Sequence, residues 1–315
     1  MPLRLSVLDQ SPIPQGQSIG DALRNTLDLA RLADQQGYHR YWLAEHHGTP
    51  SLACCSPEVM IGPVASATQR IRVGSGGVML PHYSPLKVAE SFQMLAGLYP
   101  NRIDLGLGRA PGTSGKVARL LQRDRRSPPP DDFPDQLDEL LTYLKDSTVE
   151  PALLGSSQDS SIWAAERGLP YVFADFIHPG GEPFAAFYRE RFQPSARLAE
   201  PQTSVCVWAI CAETDEEAMR LSMSARMMLL SLFRGRSIPV PSVERAEEYL
   251  AHEGVPAWTL PQGRRLLTGS PKNLRRAIET VASDYGAQEV FVVNIMYDHQ
   301  ARLRSYGLLA QAFYD

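Results

Sequence analysis

The chain has 315 residues, 43% of them hydrophobic and 21% charged, and a formal net charge of -4 at pH 7. This composition excludes global disorder and supplies apolar mass for a large core. The acidic balance, with arginines gathered only locally at Arg119, Arg123, Arg125 and Arg126, excludes a broad basic field for nucleic acid or anionic lipid.

In chain order, short β-rich runs alternate with helical patterns. Leu3 to Leu8 reads as a strand, and Ile19 to Gln36 as a helix with Leu23, Leu27, Ala30 and Ala33 on one face, stopped by Gly37. Tyr41 to Ala44 is the second strand, followed by a helix over Ser56 to Ala67 that carries Pro57 in its first turn. The pattern then repeats: strand Ile71 to Val73, helix Pro85 to Tyr99, strand Ile103 to Leu107, helix Pro134 to Lys145, strand Ala152 to Leu154, helix Asp159 to Arg167. Strand Tyr171 to Ala174, helix Pro183 to Phe192 and strand Thr203 to Cys211 follow. Helices Asp215 to Leu230 and Pro271 to Tyr285, strand Val290 to Asn294 and helix Gln300 to Ala312 complete the series.

Eight strands, each followed by a helix, predict a parallel sheet closed into a (β/α)8 TIM barrel, a single domain over 1–315. The alternative is an open, doubly wound sheet, but no G-x-G-x-x-G follows the first strand, and GLGRAPG at Gly106 to Gly112 follows the fourth with different spacing. Two connections, 109–133 and 233–268, are too long to be mere links and are candidate lids. The N-terminal MPLRLSVLDQ lacks a signal-peptide pattern and no run of about 18 apolar residues occurs, so the expected location is cytoplasmic. Cys54 and Cys55 are adjacent, Cys206 and Cys211 share one strand, and neither pair has zinc spacing; all four read as reduced and structural.

In such a barrel the C-terminal ends of the strands line one mouth, where the chemistry sits. Glu45, His46 and His47 fall there, as do Ser75, Gly76 and Gly77 after the third strand, Arg109 after the fourth, and Gly155, Ser156 and Ser157 after the fifth. Each admits a plainer reading. A histidine at a strand end commonly caps backbone, and alternation lets only one of His46 and His47 face the mouth. No third ligand accompanies the pair, so no metal site is expected. The two glycines read either as a turn needing positive φ or as a place where backbone approaches a flat ligand closely. Arg109 offers a planar fork suited to phosphate, and the helix start after Ser157 offers free N–H groups and a positive dipole end.

AEHH, VGSGGVMLP, PNRIDLGLGRAPG, LLGSS, IWAAERGLP and, near the C-terminus, YDHQARLRSYGLL occur in one order over nearly the whole chain. In these motifs the sequence resembles the bacterial luciferase-like flavin-dependent monooxygenase family, in particular single-chain members resembling the luciferase alpha chain. The resemblance implies a barrel that binds FMN, reacts the reduced flavin with O2 and inserts one oxygen into an organic substrate. It places His46 beside the flavin in acid/base catalysis and a cis peptide at Gly76-Gly77 under the ring system, and Glu45 is expected to orient the site. Arg109, Leu154, Gly155, Ser156, Ser157 and Ser160 would hold the FMN phosphate. A separate reductase would supply reduced flavin, since no nicotinamide fingerprint is visible.

A homodimer is expected through the helices 57–67 and 85–98, which are apolar on more of their circumference than one core-facing stripe requires. The same pairing is implied by the resemblance. Two departures stand out. The connection between Leu144 and Leu153 is several residues shorter than the family pattern, and FADFIHPGG, with Asp175 and His178, replaces a His-rich turn. A deazaflavin-dependent dehydrogenase and a non-catalytic flavin-binding protein are the alternative functions.

Overall fold

The computed structural model describes residues 3–110, 113–122, 131–254, 256, 260 and 265–314. Its strands are β1 (Arg4–Asp9), β2 (Arg40–Leu43), β3 (Arg72–Met79), β4 (Ile103–Gly108), β5 (Glu150–Gly155), β6 (Tyr171–Ala174), β7 (Thr203–Cys211), β8 (Leu267–Gly269) and β9 (Glu289–Val293). They pair in the order β6-β5-β4-β3-β2-β1-β9-β7, and a β7 to β6 ladder closes the ring. Every ladder is parallel. The eight ring strands are those expected from the sequence, and the fold is the TIM barrel. β8 lies outside the ring, pairing with the extension of β7 at Ala209, Ile210 and Cys211.

Alternation along the strands divides the apolar residues between two clusters. Leu8, Trp42, Ala152, Val172, Cys206 and Phe291 belong to one, within the ring. Their neighbours Val7, Tyr41, Leu153, Tyr171, Val205 and Val290 belong to the other, packed against the surrounding helices. The N-terminal end of the barrel is closed by charge: Asp104, fully buried, pairs with Arg40 at 2.7 Å and Arg72 at 2.6 Å and accepts from the Trp42 indole at 2.8 Å. At the other end of β1, buried Asp9 accepts from Arg302 at 2.7 Å, Tyr41 at 2.6 Å, Thr26 at 2.8 Å and the Ser11 N–H at 2.8 Å. Arg302 belongs to the YDHQARLRSYGLL motif, which thereby fastens the C-terminal helix His299–Tyr314 to the barrel.

Several boundaries differ from the sequence reading. β3 runs on through Ser75, Gly76 and Gly77 to Met79, so these residues lie within the strand and not after it. The helix expected over Asp215 to Leu230 is two, Asp215–Leu221 and Met223–Phe233. They meet at Ser222, whose hydroxyl donates to the Met219 carbonyl at 2.6 Å and accepts from the Arg226 guanidinium at 2.8 Å. Both candidate lids contain helix: Gly115–Leu121 in 109–133, and Val243–His252 in 233–268. Arg119 lies on the first of these; Arg123, Arg125, Arg126 and parts of both candidate lids fall outside the described residues.

The short connection before Leu153 enters β5 at its N-terminal end, opposite the mouth, where the Arg197 guanidinium donates to the carbonyls of Leu144, Lys145, Ser147 and Val149. All four cysteines are free; Cys54, Cys206 and Cys211 are buried and Cys55 is exposed. Burial pushes the Cys54 and Cys211 thiols up to about 12, which keeps them unreactive. No described helix is long and apolar enough to cross a membrane.

Candidate functional site at the barrel mouth

β2 ends at Leu43, and the next residues carry its ionisable groups over the rim. Glu45 is 1% exposed. Its Oε1 accepts from the Tyr83 hydroxyl at 2.8 Å and lies 2.7 Å from His47 Nε2, while its Oε2 accepts from the Met79 N–H at 3.0 Å. One carboxylate therefore ties the end of β2 to the end of β3 and fixes the His47 ring, which meets His82 edge-on with centroids 6.0 Å apart. The Thr113 hydroxyl donates to the His47 carbonyl at 2.7 Å, bringing the first candidate lid onto the same rim.

His46 is held differently. Its N–H donates to the Cys54 carbonyl at 3.0 Å, yet its ring Nδ1 is buried with no hydrogen-bond partner. Burial first, then the neighbouring His47, push its pKa down to about 4. At neutral pH the ring is a neutral imidazole that can take a proton and has none of its own to give as imidazolium.

Beside β2, the neighbouring strands β3 and β4 are rich in glycine, with Gly74, Gly76 and Gly77 in one and Gly106 and Gly108 in the other. The Gly76-Gly77 peptide is cis, and neither glycine has positive φ, which removes the turn reading. Close packing is the reason for glycine: a Cβ at Gly76 would lie 2.4 Å from Leu8 Cδ1, at Gly77 2.7 Å from the Gly106 carbonyl oxygen, and at Gly106 2.2 Å from the Ser75 carbonyl oxygen. Ser75 is fully buried and donates to the Gly106 carbonyl at 2.8 Å, so its hydroxyl serves the strand pair.

The third group lies after β5. Ser157 caps the helix Gln158–Glu166 without a side-chain bond to the first-turn amides. Leu154 and Gly155 close β5; a Cβ on Gly155 would lie 2.3 Å from Ser160 Oγ, and that hydroxyl donates to the Ser157 carbonyl at 2.6 Å. Ser156 stands between them. Arg109 reaches the same helix start, pairing with Asp159 at 3.1 Å and covering the Trp163 ring at 4.9 Å from its centroid. Arg109 and the 154–160 stretch thus meet at one corner of the rim, where the Asp159 carboxylate engages the guanidinium.

Asp175, after β6, is not a free polar group: buried, it accepts from Tyr285 at 2.8 Å and pairs with Arg265, whose Nε lies 2.9 Å away. His178 is exposed and its Nδ1 contacts the Pro179 carbonyl at 2.8 Å. The remaining wall is apolar, with Phe176, Trp208, Ile210, Met228, Ile295 and Met296 in one cluster. Sequence reading missed Met79 and Tyr83, the partners of Glu45. Their only local signal is LPHYSP, a tyrosine between two prolines beyond the glycine pair.

These features suit a flavin. The buried Nδ1 of His46 has no hydrogen-bond partner among the described residues, and Arg109 stands at the start of the helix Gln158–Glu166, where a phosphate could be held. In comparisons with known proteins, the luciferase-like monooxygenase family matches residues 3–152. The chain is 38% identical to a luciferase-like monooxygenase of Escherichia coli (strain K12), covering 97% of this chain and 96% of that protein. It is 35% identical to the N-acetyl-S-alkylcysteine monooxygenase of Bacillus subtilis (strain 168), over 98% of each chain. Among solved structures, apo-MsnO8 superposes with a TM-score of 0.91 at 38% identity, covering 99% of this chain and 98% of that one. The oxygenating constituent of 3,6-diketocamphane monooxygenase from Pseudomonas putida, in complex with FMN, shares the fold at a TM-score of 0.76 and 18% identity, over 99% and 97% of the two chains. With this barrel, this mouth and relatives matched end to end, the chain belongs to the luciferase-like monooxygenase family.

Proposed function

We propose that the protein is a flavin-dependent monooxygenase that uses reduced FMN and O2 to oxygenate a small organic substrate at the barrel mouth. The observation that carries this reading is the convergence of His46, with its unpartnered buried Nδ1, the glycine-lined face of β3 and β4, and the Arg109 corner. Bound reduced FMN supplies the electrons that activate O2. Arg109 and the amides after Ser157 hold its phosphate, and Leu154, Gly155, Ser156 and Ser160 shape that corner. Ser75, Gly76 and Gly77 let the ring lie close to the backbone. His46 takes up the proton released at the reacting atoms, Glu45 keeps the rim in register, and the apolar wall excludes water. A separate reductase partner supplies the reduced cofactor.

Replacing Arg109 by Ala should weaken FMN binding by about 1.5 kcal/mol, roughly tenfold, the low end for a charge-assisted contact because the side chain is 41% exposed. A flavin fluorescence titration checks this, and unchanged affinity would remove Arg109 from the site. Running the same titration with a deazaflavin tests the dehydrogenase alternative, which requires the tighter binding to be to the deazaflavin. Thioethers are the first substrates to try, because a relative matched along its length is named for an S-alkylcysteine derivative.

We also propose a homodimer through helices Pro57–Ala67 and Pro85–Leu98. Val59 is 67% exposed, Met94 69%, Leu98 70% and Leu86 46%, an apolar face left uncovered within one chain. Ala65 is 2% exposed and belongs to the chain's own core, so it is unsuited to testing the interface. The test is Val59→Glu with Met94→Glu, which should convert a particle of twice 34.9 kDa into a folded monomer in light scattering. A double variant that stays dimeric would move the interface elsewhere.

A further inference from the structure

Away from the flavin corner, the connection between β7 and β8 builds a second cavity. Helices Met223–Phe233 and Val243–His252 pack together through Met223, Met227, Val243, Ala246 and Leu250. The stretch between them is stitched to the loop after β1. The Val240 N–H donates to the Ile13 carbonyl at 2.9 Å, and the Gln15 N–H donates to the Val240 carbonyl at 2.8 Å. Pro239 and Pro241 flank Val240, and their fixed φ stiffens this wall. The concavity, about 330 Å³ and open to solvent, is lined by Met227, Ile238, Pro239 and Pro241 and by Arg234, Arg236 and Arg245.

The three arginines are not equivalent. Arg234 is engaged by Glu253 at 2.8 Å and by the Tyr249 hydroxyl. The guanidinium groups of Arg236 and Arg245 have no ion-pair or hydrogen-bond partner among the described residues, and both side chains are exposed. Solvated arginines on a surface need no ligand. Here, though, both line a largely apolar concavity whose size is at the low end of small-molecule sites, which run from about 300 to 1,000 Å³. No residue of this cavity belongs to the Arg109 corner, but Ile238 packs against the apolar cluster of the mouth and Ser237 bonds Thr49 and Ser51, so the two regions are neighbours.

We propose that the cavity is a second binding site, for a small amphiphilic carboxylate. Its apolar body lies on the Met227, Ile238 and proline floor, and its carboxylate pairs with Arg236 and Arg245. Guanidinium groups match carboxylates in shape and charge, and a floor already held in place limits the ordering cost of binding. The inference does not depend on the flavin reading.

The test uses the full chain with 4-phenylbutyrate as probe and 4-phenylbutanol as its uncharged counterpart, by titration calorimetry at low salt, with and without saturating FMN. Phenylbutyrate should bind with the same affinity in both conditions, weaken as salt is added, and exceed phenylbutanol about tenfold. Arg236→Gln with Arg245→Gln should weaken phenylbutyrate about tenfold and leave FMN affinity unchanged. Both positions are exposed, so the double variant should keep the wild-type thermal midpoint, which circular dichroism verifies. Wild-type affinity in the double variant, displacement of the probe by FMN, or absence of saturable binding would each overturn the proposal.

Discussion

Replacing His46 by Ala should lower turnover by about 100- to 10,000-fold while leaving flavin affinity and the fold intact, because a positioned proton acceptor contributes about that much. Reduced flavin should still be oxidised, with peroxide released in place of product. His47→Ala should cost less, since that ring is already engaged by Glu45 at 2.7 Å. Wild-type turnover in His46→Ala, or a larger loss in His47→Ala, would reassign the role.

The low pKa of His46, about 4, adds a pH signature. The folded value lies below the ordinary value of about 6.5, so between them the unfolded chain binds the extra proton. The contribution of the neutral ring to stability is complete above about pH 6.5 and is lost as pH falls toward 4. Urea unfolding at pH 7 and pH 5 should therefore show a larger loss for wild type than for His46→Gln. Equal losses would mean that the imidazole is not held neutral by burial.

The second large effect lies at Asp9. Burial opposes its charge, but Arg302 and Tyr41 outweigh burial and hold the carboxyl below the ordinary range. Asp9→Ala leaves Arg302, 2% exposed, as an uncompensated buried charge and should destabilise the fold by about 3 to 5 kcal/mol. Asp9→Ala combined with Arg302→Met should lose clearly less than the sum of the two single variants, because the second change removes the stranded charge. Urea midpoints at pH 7 measure both quantities. A loss under about 1 kcal/mol for Asp9→Ala, or strict additivity, would contradict this account.

The eight ring strands were legible because each is a short apolar run bounded by a helix of recognisable period, and because short strands alternating with helices favour one topology. β3 was read too short, since Ser-Gly-Gly looks like a turn locally and only the approach of Leu8 and Gly106 explains why glycine stands within a strand. Helix Val243–His252 had a local signal: the Ser242 cap, with Val243, Ala246 and Leu250 on one face. β8 had almost none, because its three residues find their partner only where β7 projects beyond the ring.

At the candidate site the chemical types were legible and their partners were not. Arg109, the glycines and the histidines announce themselves by type and position, whereas Tyr83 and Met79 at Glu45, Arg265 at Asp175 and Arg302 at Asp9 are meetings of distant segments. The pKa of His46 belongs to the same class, being a consequence of burial that no neighbouring letter encodes.

The most direct measurement is isotopic. The protein, reduced FMN and a panel of thioethers, aldehydes, alkanes and aromatics are allowed to react under 18O2, and the products are weighed by mass spectrometry. A flavin-dependent monooxygenase predicts a product carrying one atom of 18O, formed by wild type and lost in His46→Ala. Complete oxidation of the reduced flavin with labelled peroxide as the sole 18O product across the panel, or flavin turnover with the same substrates in the absence of O2, would contradict it.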